Sequence, residues 1–378
     1  MFSLFEGKPV PKRPIGTVQH TQSVSSHMSL LIHSISPTLL ADLHAAKNAL
    51  SSRFLGGPRA SAFRAFAATS PRPDQNVVGV GIAEKIDDGK HTGILAVKFF
   101  VRRKYTESEL TKKDFLPKSI DGLPVDVEQA GTFRAFPARA GAGAGKRPSQ
   151  QADVEIPNPK IRFRPAQPGS SIGFRDPTDR FVMAGTFGAV VKDRDGTYLL
   201  SNNHVLADEG KLASGAPIFQ PGLLDNGNKN SDQIAELARF IPIQAGALNK
   251  VDAATAEGTS ASTFSKDILH IGPPAGTAKA GLDMRVHKFG RTTSYTVGII
   301  TSVATDVKVD YEAGSMTFQD QIIIVGDQGA FSAAGDSGSL ILDRQTQNAV
   351  GLLFAGSASH TIANHLEEVL QALGVTLA

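Results

Sequence analysis

The sequence predicts a mainly β protein, in which a β-barrel or sandwich domain follows an N-terminal helix and a small α/β unit. After residue 171, short β-like runs return at regular intervals between Gly, Asp and Asn turns: GTFGAVV, GTYLLSNN, APIFQ, KVDAATAE, MRVHKFG, YTVGIITSV, QIIIV, GSLILD and AVGLLFAG. Residues 75 to 133 are also β-rich but are interrupted by a helical candidate. Residues 36 to 54 repeat apolar side chains at helical spacing.

In SPTLLADLHAAKNALSSRF, Ser36 can cap a helix and Pro37 suits its first position. Leu39, Leu43, Ala46, Leu50 and Phe54 share one face until GGP stops the run. The polar face has few cations, which favours core or interface packing over membrane binding. VVGVGIAEK and GILAVKFFVRRK flank DDGK, where Gly89 can take a positive φ, so this stretch reads as a hairpin. ESELTKKD is a short helical candidate and LPVDVEQAG a third strand. KFFVRRK mixes cations with aromatics as single-strand nucleic-acid platforms do, but a half-buried strand alternates in the same way. VGVGIAEK has GxG without a third glycine opening a helix, so it is no dinucleotide fingerprint. Residues 134 to 170 are rich in Gly, Ala, Pro and Arg and lack periodicity, which reads as a basic linker open to proteolysis. IANHLEEVLQAL places Ile362, Leu366, Val369 and Leu370 on one helical face, so a docked helix closes the chain. The expected organisation is a helical segment at 1–57, an α/β domain at 58–133, the linker at 134–170 and the β domain at 171–378.

Composition narrows the class. The 378 residues are 41% hydrophobic and 20% charged, as in soluble globular proteins, and no apolar run is long enough to span a bilayer. MFSLFEGKPVPKRPIG has no unbroken apolar core of a secretory signal, and the chain has no cysteine. Both observations fit a cytoplasmic location; the second excludes a disulfide framework, a thiolate nucleophile and a cysteine metal cluster. A formal charge of +3 is too mild to argue for a nucleic-acid partner. His270, His287, His360 and His365 have no HExxH or paired-carboxylate spacing, so neither a metal nor another cofactor is expected.

The stretch FSAAGDSGSLIL carries the chemical signal. A serine hydroxyl is a weak nucleophile unless a base stands beside it, a carboxylate orients the base, and amide donors face the developing oxyanion. Gly335 and Gly338 permit a tight turn that can aim the amides of Gly335 and Ser337 at one point. The segment is not the GxSxG elbow, which needs a strand-to-helix turn. LLSNNHVLAD offers His204 directly after a strand, and KVDAATAE offers Asp252 inside an apolar run, where a buried carboxylate needs a partner. Singly, the three suit a hairpin turn, a satisfied core histidine and a strand-end carboxylate. Jointly, and in the order His204, Asp252, Ser337, they suit nucleophilic catalysis.

GDSGS, LLSNNHV and VDAA resemble the three catalytic blocks of the chymotrypsin/trypsin-like serine proteases, in that family's own order. KFGRTTSYTVGII resembles the segment that opens the second barrel of bacterial trypsin-like enzymes. The upstream IDGLPVDV and the tail IANHLEEVLQALGV are similar to an intracellular trypsin-like group that includes the plant Narrow leaf protein. The resemblance implies a two-barrel trypsin-like protease domain over 171–378 and an endopeptidase acting on protein or peptide substrates. It implies a His204, Asp252 and Ser337 triad, with an oxyanion hole from the amides of Gly335 and Ser337. It also places the specificity pocket at Phe331, Phe354, Ala355 and Gly356, where no acid would favour Arg or Lys, so small or medium apolar residues are expected before the cleaved bond. The N-terminal region is expected to regulate activity, through a homo-oligomer contact or a regulatory partner. In secreted trypsins the Asp before the serine pairs with a new amino terminus; here about 170 residues precede the domain, so Asp336 needs another partner or a processing event. The rival reading is a catalytically silent scaffold that binds proteins.

Overall fold

The computed structural model describes residues 36–56, 72–135, 138–139, 156–260 and 263–378. Expectations for residues 1–35, 57–71, 136–137 and 140–155, which include most of the N-terminal segment and much of the linker, lie outside the described residues.

Ser36 caps the helix Pro37–Phe54, its Oγ accepting from the Leu39 amide at 3.1 Å. Leu43, Ala46, Leu50 and Phe54 are buried, whereas Leu39 is 39% exposed, so the packed face begins one turn later than the spacing suggests. The same face buries Lys47, whose ammonium donates to Asp306 at 2.8 Å. That partner offsets the cost of a buried charge.

The helix covers a hairpin of two strands, Val77–Asp87 and Lys90–Val101, which turns at Asp88 and Gly89 with φ of 47° and 74°. Phe99 and Phe100 project to opposite faces and both are buried. Phe99 packs beneath Leu50 and Phe54 of the helix, and Phe100 joins Val307, Phe318 and Phe354. The aromatics of KFFVRRK therefore belong to a strand covered on both sides. ESELTKKD forms only the 3-10 turn Glu107–Glu109, closed by a Thr106–Glu109 capping box. Leu123–Gln129 is the third strand and runs parallel to Lys90–Val101.

This hairpin is continuous with the C-terminal barrel. The 18-residue strand Ser294–Tyr311 pairs with Arg285–Gly290 along its first half and with Val77–Asp87 along its second, setting Gly79 opposite Val307. Gly314–Gly326, Thr361–His365, Asn348–Gly356, Leu340–Asp343, Arg285–Gly290 and Ser294–Tyr311 follow one another in hydrogen-bonded order, and the last pairs back to the first. A closed barrel results, filled by Val286, Ile300, Ile322, Ile324 and Ile341. Among the described residues, the other sheet has nine strands and curls around Ile172, Phe187, Leu199, Val205 and Ile234. Between the two lie Leu200, Val251, Phe289 and Leu352, covered by the helix Leu366–Leu373. Transfer of a fully buried ring such as that of Phe289 contributes roughly 1.5–3 kcal/mol.

The protein is thus mainly β with a helix near each end, as its strand rhythm predicts. Ile362 is a correction. It sits in the strand Thr361–His365 opposite Ile323, and the helix begins only at Leu366. Pairing with two neighbouring strands satisfies its backbone, which a helix end would leave partly unpaired.

Candidate active site

Three elements converge at the junction of the two sheets. The strand Thr197–Ser201 ends, and the chain turns into the short helix Asn203–Leu206, which carries His204. Asn202 ties this turn to the acid segment, its amide donating to the Asp252 carbonyl at 2.7 Å. His204 Nδ1 is 2.5 Å from Asp252 Oδ2, and the His204 backbone amide donates to Oδ1 at 3.3 Å. Asp252 has no exposed surface, so its charge depends on such donors. A further donor is Tyr311, whose hydroxyl reaches Oδ2 at 2.7 Å. Burial, with Asp252 beside it, raises the Tyr311 phenol well above its ordinary value, which keeps that proton in place. Asn364 Oδ1 accepts from the Asp252 amide at 3.0 Å and locks the backbone. With Nδ1–H donating to the carboxylate, His204 Nε2 holds a lone pair, and it has no hydrogen-bond partner among the described residues.

Ser337 approaches from the second barrel. Its carbonyl accepts from the Thr186 amide at 2.8 Å, which ties it to the strand Met183–Thr186. A side chain added at Gly185 would meet both Val205, next to His204, and the Ser337 carbonyl. The Ser337 hydroxyl is turned to the Phe354 carbonyl at 3.4 Å rather than to the imidazole. Gly335 and Gly338 take φ of 96° and 94°, and a Cβ at Gly338 would collide with Ser201 Oγ and the Thr186 carbonyl. Thr186 Oγ1 donates to the Gly335 carbonyl at 2.9 Å, orienting that peptide. Neither the Gly335 nor the Ser337 amide donates to another described residue.

Asp336 is held from within the chain. Its Oδ1 accepts from the Thr292 and Thr293 amides at 2.8 and 3.1 Å, and its Oδ2 from Thr293 Oγ1 at 2.6 Å and the Ala333 amide at 2.9 Å. Lys288 Nζ stands 3.6 Å from Oδ2 and donates to Thr293 Oγ1 at 2.6 Å. Next to this cluster, Arg291 grips Asp225 of the 3-10 turn Leu223–Asp225 with two bonds of 2.6 and 2.7 Å.

A cavity of about 510 Å³ opens beside Ser337. Ala355 and Gly356 line it, together with Ser332, Ala333 and, from the N-terminal unit, Gly131 and Arg134. Phe331 and Phe354 do not line it. Phe331 is packed with Ile300 and Ile324 inside the barrel, and Phe354 is against Phe318 at 4.8 Å between ring centroids. Two large rings next to Ile and Phe side chains gain more from burial than from a wet wall. Among the described residues, no carboxylate lines the cavity. Among the described residues, no group of three His, Asp or Glu side chains could hold a metal ion.

The segment that carries Ser337, Lys288 and Tyr311 is also the one that resembles a known family. Residues 275–369 match the family model of the Nal1 C-terminal domain. The Protein NARROW LEAF 1 of Oryza sativa subsp. japonica is 24% identical over 314 residues, which is 75% of this chain. The chain spans about half of that relative, 51% of its length. The likeness to the Narrow leaf protein is therefore borne out. Among solved structures, Thermobifida fusca Protease A is similar at 18% identity with a TM-score of 0.41, covering 56% of this chain and 99% of that one. Cellulomonas bogoriensis chymotrypsin is similar at 18% identity with a TM-score of 0.38, covering 56% of this chain and 97% of that one.

Within the Nal1-matching stretch, Tyr311 and Lys288 are supporting residues that their local sequence scarcely announces. For Lys288 the available signal is its place two residues before the glycine of KFGRTT. Tyr311 offered none, because it is 59 residues from Asp252 in the chain and ends a strand that reads as ordinary alternation.

Proposed function

We propose that the chain is a serine endopeptidase acting on protein or peptide substrates in the cytoplasm. The observation that carries this reading is the His204–Asp252 pair at 2.5 Å with an unpartnered Nε2, in a fold that brings Ser337 to the same junction. An orphaned buried ring nitrogen costs stability, and such groups are retained where they react. Ser337 Oγ turns from the Phe354 carbonyl toward Nε2, gives up its proton and attacks the scissile carbonyl. Asp252, supported by Tyr311, stabilises the imidazolium. The amides of Gly335 and Ser337 receive the oxyanion, a donor type worth about 3–4 kcal/mol each. His204 then protonates the leaving amine, and water repeats the sequence on the acyl-enzyme. The absence of cysteine from the chain supports the reducing compartment.

Control through the N-terminal region belongs to the same proposal. Leu39 and Leu40 are 39% and 41% exposed at the start of the first helix, where an oligomer or partner contact would bury them.

The test is fluorophosphonate labelling and peptide turnover of the full chain beside Ser337→Ala. Labelling should disappear and turnover fall by roughly a thousandfold or more. Equal cleavage by Ser337→Ala would remove the triad assignment. The alternative, a silent scaffold, draws on the Ser337 hydroxyl resting on Phe354. Folded protein that takes no label under any activating condition favours it.

A further inference from the structure

The chain's own backbone lies along both strand edges that flank Ser337. On one side, Arg134 N donates to the Gly356 carbonyl at 3.0 Å and Gly356 N donates to the Arg134 carbonyl at 3.1 Å. The other edge of the same segment is bonded to Asp310, which donates to the Phe133 carbonyl at 2.9 Å and accepts from Ala135 N at 3.2 Å. Asp310 precedes Tyr311, the residue that supports Asp252. Four residues beyond Arg134, Ala138–Arg139 pairs antiparallel with Met183–Thr186, Ala138 lying opposite Ala184.

Both receiving strands touch the nucleophile. Phe354, two residues before Gly356, accepts from the Ser337 hydroxyl, and Thr186, two residues after Ala184, donates to the Ser337 carbonyl. Ala138 also abuts the oxyanion loop, its Cβ standing 3.0 Å from the place a Cβ on Gly335 would take. An extended peptide that offers a carbonyl to Ser337 is held by adding its backbone to strand edges on either side of that atom. Those edges, at Gly356 and at Ala184, are already paired.

We propose that the backbone at 133–135 and at Ala138 occupies the substrate edges on both sides of Ser337, so that the protein inhibits itself until this strap lifts. This rests on the hydrolase reading and adds its regulation. A tethered strand competes at an effective concentration in the millimolar range, which excludes peptides present at micromolar levels. The strap also explains why Gly131 and Arg134 wall the cavity beside Ser337. The N-terminal unit acts through it: Leu123–Gln129 leads directly into the strap and is anchored parallel to Lys90–Val101.

Two variants of the full chain test this at separate anchors. Arg134→Pro removes the N–H that donates to Gly356. Ala138→Phe puts a ring where Gly335 leaves no room. One readout is the rate of fluorophosphonate labelling and of cleavage of a fluorogenic octapeptide. The second needs no catalysis: in a Ser337→Ala background, anisotropy follows binding of a labelled synthetic peptide of sequence TFRAFPAR, the chain's own residues 132–139. Both variants should label and cleave about tenfold faster or more, and bind the peptide about tenfold tighter, as the loss of one or two backbone hydrogen bonds predicts. Thermal unfolding at the parent's temperature confirms that the comparison is between folded chains. Folded variants that bind the peptide no tighter, or that lose activity, overturn the proposal and make the strap a permanent pocket wall. Tighter peptide binding without labelling of any form leaves the strap standing and removes the hydrolase reading instead.

Discussion

Lys288 Nζ lies 3.6 Å from Asp336 Oδ2, and neither side chain has exposed surface. Burial pushes the Lys288 ammonium down and Asp336 opposes it, so the pair holds its charge only as a pair. The carboxylate before Ser337 thus finds its cation on a neighbouring strand, Arg285–Gly290. Lys288→Met leaves Asp336 buried with only neutral donors and should cost about 3–5 kcal/mol in chemical denaturation. Lys288→Met with Asp336→Asn should recover much of that stability but not the activity. If the single variant unfolds like the parent, the pair is not what secures the loop.

Tyr311→Phe deletes one donor to Asp252 and keeps the ring stacked on Phe318. A hydrogen bond to a charged group contributes about 1.5–3 kcal/mol, so kcat should fall by roughly ten- to a hundredfold. An unchanged kcat would leave Tyr311 as packing alone.

Among the described residues, none that line the cavity beside Ser337 is a carboxylate. Reporters with Ala, Val or Leu before the cleaved bond should therefore outpace Arg or Lys reporters by about tenfold or more in kcat/KM. Ser332→Asp, which sets an acid in that wall, should narrow or reverse the ratio. Fastest turnover of the parent on a Lys or Arg reporter contradicts this preference.

Glu128 stands at the end of the third strand, 2.8 Å from His360 and 2.7 Å from Lys98. Burial pushes its carboxyl up, but the bond from His360 and the Lys98 charge prevail and hold it at about 2. A carboxyl lowered in the folded state stabilises fully above its unfolded value near 4.3, and the benefit is lost as pH falls toward 2. The unfolding temperature of Glu128→Gln should fall below that of the parent at pH 6, and the two should converge between about pH 4.5 and 2. A gap that stays constant over that range would show that Glu128 acts by shape rather than charge.

Much of the site was legible because its chemistry is local. His204 follows a strand end, Asp252 precedes a strand and Ser337 lies between two glycines, and each setting is written in four or five consecutive residues. The hairpin turn at Gly89 was legible for the same reason. What supports these residues was not: Glu128 meets His360 across 232 positions and Lys47 meets Asp306 across 259. The cavity was half legible, since Ala355 and Gly356 face it whereas Phe331 and Phe354 turn to the core. Strand alternation tells which side chains share a face, but not which face is wet.

By itself the sequence determined the β rhythm, the capped first helix and the order in which His204, Asp252 and Ser337 follow one another along the chain. Side-chain identity and spacing are enough for those. Only the tertiary structure decided that the N-terminal hairpin extends the C-terminal barrel, that Lys288 holds Asp336, and that residues 133–135 lie on Gly356. The reason is physical: every strand edge offers the same N–H and C=O groups whatever its side chains, so a sequence can announce an edge without naming the strand that fills it.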